Sequence, residues 1–220
     1  MHNALLVVAK QPVPGQTKTR LSPPLSMDEA AEIYECFLRD TLDLMRVVPD
    51  VKKFIVHLSE DGQGYFNRLA PDMGLMKQRG MSLGERLDNL LSDVLAGGAA
   101  KAVVMDSDSP TLPPSYLIQA FDLLDTADVV LGPTDDGGYY LIGLKEPRPQ
   151  LLRQVQMSTS NVLADTLKIA SDTGVKVALL PAWYDVDTVE DLQKLTSEVM
   201  AMEDGRCGHT RQWISGKSRW

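Results

Sequence analysis

Apolar and polar positions fall into blocks along this chain, and the blocks alternate between two periods. Residues 3–9 (Asn-Ala-Leu-Leu-Val-Val-Ala) form a continuous apolar run, the pattern of a strand buried on both faces. A loop with Pro12, Pro14 and Gly15 follows, and then an amphipathic stretch from Ser26-Met27-Asp28-Glu29 to about Val47. Ser26 and Glu29 have the spacing of a capping box, so a long helix is predicted there. Strands are predicted at 53–58 and 74–77, with a short helix at 62–69 between them. A second capping box, Ser82-Leu83-Gly84-Glu85, opens a helix that stops at Gly97-Gly98. The run 101–105 reads as a strand, and Pro113-Pro114 begin a helix to Leu124. Strands at 128–131 and 139–144 flank a loop at 132–138. A helix near 161–172, a strand at 176–180 and a helix from Thr188 to about Met202 follow.

Strands separated by helices imply a three-layer α/β/α sandwich around a mostly parallel, mixed sheet. There is no internal repeat and no convincing linker, so residues 1–204 read as a single domain and 205–220 as a basic tail. That tail carries Arg206, Arg211, Lys217 and Arg219, no acids, and Trp213 and Trp220. It is either docked on the body, frayed, or a surface for a partner or an anionic membrane.

Charge changes the picture locally. Lys+Arg total 22 against Asp+Glu 30, a net charge of −8, which argues against a chain that coats nucleic acid. Residues 1–27 nevertheless contain Lys10, Lys18 and Arg20 and no acid. A cationic loop in an acidic protein reads as an anion site, or else as ordinary solvated loop charge. Cys36 and Cys207 are far apart, with no C-x-x-C pair, so neither zinc nor a disulfide framework is indicated. The N-terminus lacks a cationic n-region and long h-region, and no run approaches the ~18 apolar residues of a membrane span. The expectation is a cytoplasmic protein; the oligomeric state is left open, a homodimer being one option.

Four constellations carry candidate chemistry. Lys10-Gln11-Pro12-Val13-Pro14-Gly15-Gln16-Thr17-Lys18-Thr19-Arg20 follows the first strand; Gly15 lets backbone approach a ligand, and Lys18 and Arg20 supply charge for phosphate. It is neither a Walker loop nor a G-x-G-x-x-G turn. Asp106-Ser107-Asp108-Ser109-Pro110 ends another strand, so both carboxylates face one way at the edge where open α/β sheets bind ligands. Two hard oxygen ligands suit Mg²⁺ or Mn²⁺. Because about two D-x-D matches are expected by chance, the context must carry that reading; an N-cap or turn role for one aspartate is the alternative. Gly132-Pro133-Thr134-Asp135-Asp136-Gly137-Gly138 is either a hairpin turn or a place where Asp135 or Asp136 orients or deprotonates an acceptor. In Asp185-Val186-Asp187-Thr188, Thr188 and Asp191 cap a helix, which leaves Asp185 and Asp187 free; Asp187 is chosen as a third metal ligand because it lies nearer the helix start. Gly80–Arg86 is weaker: Ser82 and Glu85 belong to the capping box, and Arg86 reaches phosphate or pairs along its helix.

Taken together, these motifs resemble the nucleotide-diphospho-sugar transferase (GT-A, SpsA-like) fold. More narrowly they are similar to a bacterial family of glycosyltransferase-like proteins sometimes called selenodomain-associated transferases. The resemblance runs from about Leu5 to Leu195 and rests on five segments: the Lys10…Gly15…Lys18-Thr19-Arg20-Leu21 loop, Leu83-Gly84-Glu85-Arg86, Asp106-Ser107-Asp108-Ser109-Pro110, Gly132-Pro133…Asp135-Asp136-Gly137-Gly138-Tyr139-Tyr140-Leu141 and Asp185-Val186-Asp187-Thr188. The first loop also resembles that of 2-phospho-lactate guanylyltransferase, and molybdenum-cofactor guanylyltransferases share the Asp-x-Asp-Thr near the C-terminus. The resemblance implies that Lys10, Gly15, Lys18, Arg20, Arg86 and Ser107 bind a nucleotide, and that Asp106, Asp108 and Asp187 hold Mg²⁺ or Mn²⁺. The implied donor is a nucleotide-sugar or an NTP, with a small-molecule acceptor and glycosyl transfer as the first expectation. Nucleotidyl transfer and non-catalytic nucleotide binding are the alternatives. The first loop departs from the G-x-G-x-R of sugar nucleotidyltransferases.

Overall fold

The computed structural model describes residues 2–58 and 62–217. Seven strands form one sheet in the order β3-β2-β1-β4-β6-β5-β7. They are β1 (His2–Ala9), β2 (Val51–His57), β3 (Gly74–Lys77), β4 (Ala99–Met105), β5 (Val129–Pro133), β6 (Tyr139–Leu144) and β7 (Val177–Leu179). The helices are α1 (Met27–Arg46), α2 (Gly62–Leu69), α3 (Leu83–Ala96), α4 (Pro114–Leu123), α5 (Pro149–Arg153), α6 (Val162–Asp172), α7 (Val189–Ala201) and α8 (Gly208–Ser215). Every neighbouring pair is parallel except those made by β6, which runs antiparallel to both β4 and β5. Only residues 134–138 join β5 to β6; a parallel crossover needs a dozen or so residues, so the connection has to be a hairpin.

Alternation along the central strands divides the interior. Leu5, Val7 and Ala9 of β1, with Val103 and Met105 of β4, pack in the layer that contains Leu38, Leu42 and Met45 of α1, Phe66 of α2 and Leu117 of α4. Ala4 and Leu6, with Ala102 and Val104, pack in the layer of Leu87, Leu90 and Leu91 of α3, Leu151 of α5 and Ala170 of α6. Continuous apolar strands are thus buried on both faces. A third cluster joins Leu21, Ile33, Phe37, Tyr184, Val186, Leu192, Leu195 and Cys207 at the end of the sheet where β1 and β4 finish.

Two short helices depart from the sequence reading. α5 lies in a stretch with no predicted element. α8 lies within the basic tail and packs against α1, capped from outside itself: Asp40 of α1 accepts the N–H groups of His209 (3.0 Å) and Thr210 (2.9 Å). Cys207 donates its thiol to the Pro110 carbonyl at 3.1 Å, and Arg211 reaches the carbonyls of Val199 and Met202. Arg219 and Trp220 lie outside the described residues. Ser26 and Glu29 form the predicted reciprocal capping box. At α3, Ser82 caps the Glu85 N–H, while the Glu85 carboxylate reaches the Met81 N–H at 2.8 Å. No helix among the described residues is long and apolar enough to cross a membrane.

Candidate functional site

The loops after β1, β4, β5 and β7 all leave the sheet at its carboxyl edge, because β1, β4, β5 and β7 point the same way. They surround a cavity of about 740 Å³, in the position where open α/β sheets bind ligands. Its cationic side chains are Lys10, Lys18 and Arg20; its acids are Asp106, Asp108, Asp136, Asp185 and Asp187. The predicted residues Lys10, Lys18, Arg20, Asp106, Ser107, Asp108, Asp136 and Asp187 therefore come together. Gly15, Arg86 and Asp135 do not line the cavity. Gly15 turns the loop at φ +75° with open space around it, Arg86 points to the Met81 carbonyl, and Asp135 is exposed at the tip of the hairpin turn.

Lys18 bridges two of these acids. It sits in the left-handed region (φ 48°, ψ 38°) at the start of a 3-10 turn, Thr19–Leu21, and buried Leu21 anchors that turn. Its Nζ lies 2.9 Å from Asp108 Oδ1 and 2.7 Å from Asp187 Oδ1, with only 6% of its side chain exposed. Burial alone would lower its pKa, but Asp108 and Asp187 outweigh that and raise it. Burial likewise pushes Asp187 up, and Lys18, Arg20 and Lys10 reverse the balance and hold it below the usual carboxylate range.

Asp106 is placed differently from its neighbour. Its N–H donates to the Tyr140 carbonyl at 3.0 Å, and its Oδ1 accepts the Asp108 N–H at 3.0 Å. Desolvation, helped by the charges of Asp108 and Asp185, pushes its pKa up to about 8 against the Asp108 N–H and Lys18. Asp185 is raised to about 6, again chiefly by burial and then by Asp187. The 185–187 segment is bolted to the other pair: the Val186 N–H donates to the Asp108 carbonyl at 2.9 Å, and Asp191 of α7 accepts the N–H groups of Asp187 and Thr188.

Two contributors carry no signal that the sequence reading used, and a third, Asp185, is the candidate set aside there in favour of Asp187. Tyr34, on the buried face of α1, accepts the Lys10 N–H at 3.1 Å and shares a hydrogen bond with Ser107 Oγ at 2.9 Å, which fixes the first loop against the Asp-Ser-Asp turn. A buried tyrosine on a mainly apolar helix face signals a need for a hydroxyl partner. Asp185 lines the cavity beside Asp187. Finally, Ser158, Thr159 and Ser160 form part of the wall next to Thr134 and Asp136. That segment is held close to the hairpin: the Leu163 N–H donates to the Gly137 carbonyl at 3.0 Å, and a Cβ on Gly137 (φ +90°) would lie 2.0 Å from the Ser160 carbonyl. Asp136 has a structural share in the same turn, accepting from Thr134 Oγ1 and the Gly138 N–H.

Asp108 and Asp187 fit a divalent cation, because their carboxylate oxygens already converge on one positive centre, the Lys18 ammonium, and carboxylate oxygens are the donors that Mg²⁺ and Mn²⁺ prefer. Asp106 turns one oxygen to backbone instead. Among the described residues, the trio whose ligand atoms converge within 4.8 Å is elsewhere, at Asp40, Asp43 and His209. It is accounted for by helix docking: Asp40 caps α8, and Asp43 pairs with Arg46 at 2.7 Å.

The fold and the cavity define a nucleotide-diphospho-sugar transferase-like α/β protein. The family described as "Uncharacterized protein conserved in bacteria (DUF2064)" matches residues 41–159, more than half of the chain, and the chain belongs to it. A 2-phospho-L-lactate guanylyltransferase of Methanosarcina acetivorans is 28% identical over 205 residues, 92% of this chain and 88% of that protein. The protein of that name from Methanobrevibacter smithii is 28% identical over 130 residues, which span 57% of its length. A crystal structure of a candidate nucleotide-diphospho-sugar transferase from Desulfovibrio desulfuricans G20 superposes with a TM-score of 0.89 at 29% identity, covering 97% of both chains. A Mycobacterium tuberculosis protein solved in complex with manganese shares the fold (TM-score 0.54, 17% identity, 89% of this chain and 98% of that one).

Proposed function

We propose that this chain is a divalent-metal-dependent nucleotidyltransferase that moves a nucleoside monophosphate from an NTP to a small acceptor. The observation that carries this reading is the convergence of Asp108 and Asp187 on one cation position beside Lys10 and Arg20. Similarity to guanylyltransferases over most of the chain favours an NTP, with GTP the first to try. In this reading Asp108 and Asp187 hold Mg²⁺ or Mn²⁺, which when bound neutralises phosphate charge. Lys10, Lys18 and Arg20 bind the phosphate oxygens and stabilise the charge of the leaving pyrophosphate. The acceptor oxygen attacks the α-phosphorus, the bond to the β-phosphate breaks, and the acceptor proton passes to a carboxylate. Asp185, on the cavity wall beside Asp187, is placed for that role, and Asp136, also on the wall, orients the acceptor. Asp106 is a positioning residue that shapes the turn under Asp108.

Glycosyl transfer is the second reading, favoured by the closeness of the Desulfovibrio structure in shape and coverage. The two differ in product. Incubation with each NTP and with UDP- and GDP-sugars, in Mg²⁺ or Mn²⁺ and with 2-phospho-L-lactate among the acceptors, separates them: nucleotidyl transfer releases pyrophosphate, and glycosyl transfer releases a nucleoside diphosphate. Diphosphate release from a sugar donor, with no pyrophosphate from any NTP, overturns the first reading.

A further inference from the structure

The ammonium of Lys18 stands between the two carboxylates assigned to the metal, hydrogen-bonded to one and ion-paired with both, and almost removed from solvent. A divalent ion and this ammonium need the same two oxygens, Asp108 Oδ1 and Asp187 Oδ1. We propose that Lys18 is a built-in counter-cation that closes the metal position of the empty protein, so that metal and nucleotide enter as a coupled pair. This rests on the reading that Asp108 and Asp187 hold the ion.

Asp108 and Asp187 turn their Oδ1 atoms to one point, so the position between them draws a cation inward. Lys18 meets that need at no cost in translational freedom, because it is already on the chain. The nucleotide's phosphates offer the ammonium new oxygens, and once it turns to them Asp108 and Asp187 are free for the ion. Each ligand then improves the binding of the other, as linkage requires. Gly15, in the left-handed region with no atom near enough to obstruct it, lies three residues before Lys18. Tyr34 holds the loop at Lys10 and Leu21 holds it at the far end, so the change of partner falls to the long, unbranched Lys18 side chain. Arg20 provides the contrast: its side chain is 76% exposed and lies 3.7 Å from Asp187 Oδ2, beside the carboxylate rather than between the pair.

The test is Mn²⁺ binding, followed by electron paramagnetic resonance or calorimetry without nucleotide. Lys18→Met is expected to bind Mn²⁺ about tenfold or more tightly than the wild type, whereas Arg20→Met, which removes the same charge from nearby, changes it about threefold or less. Equal tightening in the two variants would reduce the effect to general charge and overturn the proposal. So would wild-type affinity in Lys18→Met, with the metal site itself intact. If neither the wild type nor Lys18→Met binds Mn²⁺, with or without GTP, both the proposal and the metal reading fall. A second readout needs no variant: in the empty wild type, Lys18 should react with an amine-directed label far more slowly than exposed Lys10, and saturating Mn²⁺ should speed its labelling. Fast labelling of Lys18 in the metal-free protein contradicts the proposal.

Discussion

Asp106-Ser107-Asp108 and Asp185-Val186-Asp187 are two copies of one spacing that meet at one cation, and they are built in opposite ways. In each, the first aspartate has a raised pKa and the second binds Lys18. In each, the middle side chain is buried, Ser107 at 3% and Val186 at 0% exposure. Ser107 is held by a hydrogen bond to Tyr34. Val186 is held by apolar contact in the cluster of Leu21, Phe37, Tyr184 and Leu192. One half of the site therefore depends on a polar network, the other on hydrophobic packing, and the Val186 N–H to Asp108 carbonyl bond couples them.

The comparison breaks most severely at the residues where the halves are alike. Asp108→Asn and Asp187→Asn should each weaken Mn²⁺-dependent nucleotide binding by about 100-fold, since each removes a charged metal ligand; a titration calorimeter reads this, and equal affinity in either variant refutes its assignment. Where the halves differ, the effects should separate. Val186→Ala should destabilise the fold by roughly 2 kcal/mol in urea unfolding, because it removes buried methyl groups and leaves a void. Tyr34→Phe should cost about 1 kcal/mol, the worth of one hydroxyl's hydrogen bonds, while shifting nucleotide affinity more than Val186→Ala does per unit of stability lost. The smallest effect concerns the thiols near this mini-core. Burial, then the Asp40 charge, pushes Cys36 up to about 11 and Cys207 up to about 12. Raised folded-state values favour the neutral thiol, so this contribution to stability is present below the free thiol's pKa of about 8.5 and is lost as pH rises through the folded values. Cys207→Ala should therefore flatten the fall in melting temperature between about pH 9 and about pH 11, and both native thiols should resist alkylation at neutral pH.

Much of this architecture is written locally in the chain. The apolar runs of β1 and β4, the capping box of α1 and the acidic first turn of α7 specify their elements through short-range chemistry, and the two Asp-x-Asp segments and the cationic loop could be seen as candidates without any tertiary information. What was hidden depends on distant partners. α8 takes its N-terminal cap from Asp40, 169 and 170 positions away from the two amides it holds, so its own sequence reads as a tail. Tyr34 looks like one more residue on the apolar face of a helix until the fold brings Ser107 to it. Asp135 and Asp136 are equivalent in sequence; the hairpin separates them by turning the Asp136 carboxylate back to Thr134 and Gly138 and leaving Asp135 at the tip. Helix proximity favours Asp187 over Asp185 in the sequence, whereas the folded chain puts both in the cavity, Asp187 on Lys18 and Asp185 beside it.

The most direct test of the central claim, that the two Asp-x-Asp segments form a metal–nucleotide site, is GTP binding by calorimetry in Mn²⁺ and again in EDTA. The account predicts GTP binding that is at least about tenfold tighter with Mn²⁺ and that loses this metal dependence in Asp187→Asn. GTP affinity that is the same in Mn²⁺ and EDTA, or metal dependence that survives in Asp187→Asn, would contradict it.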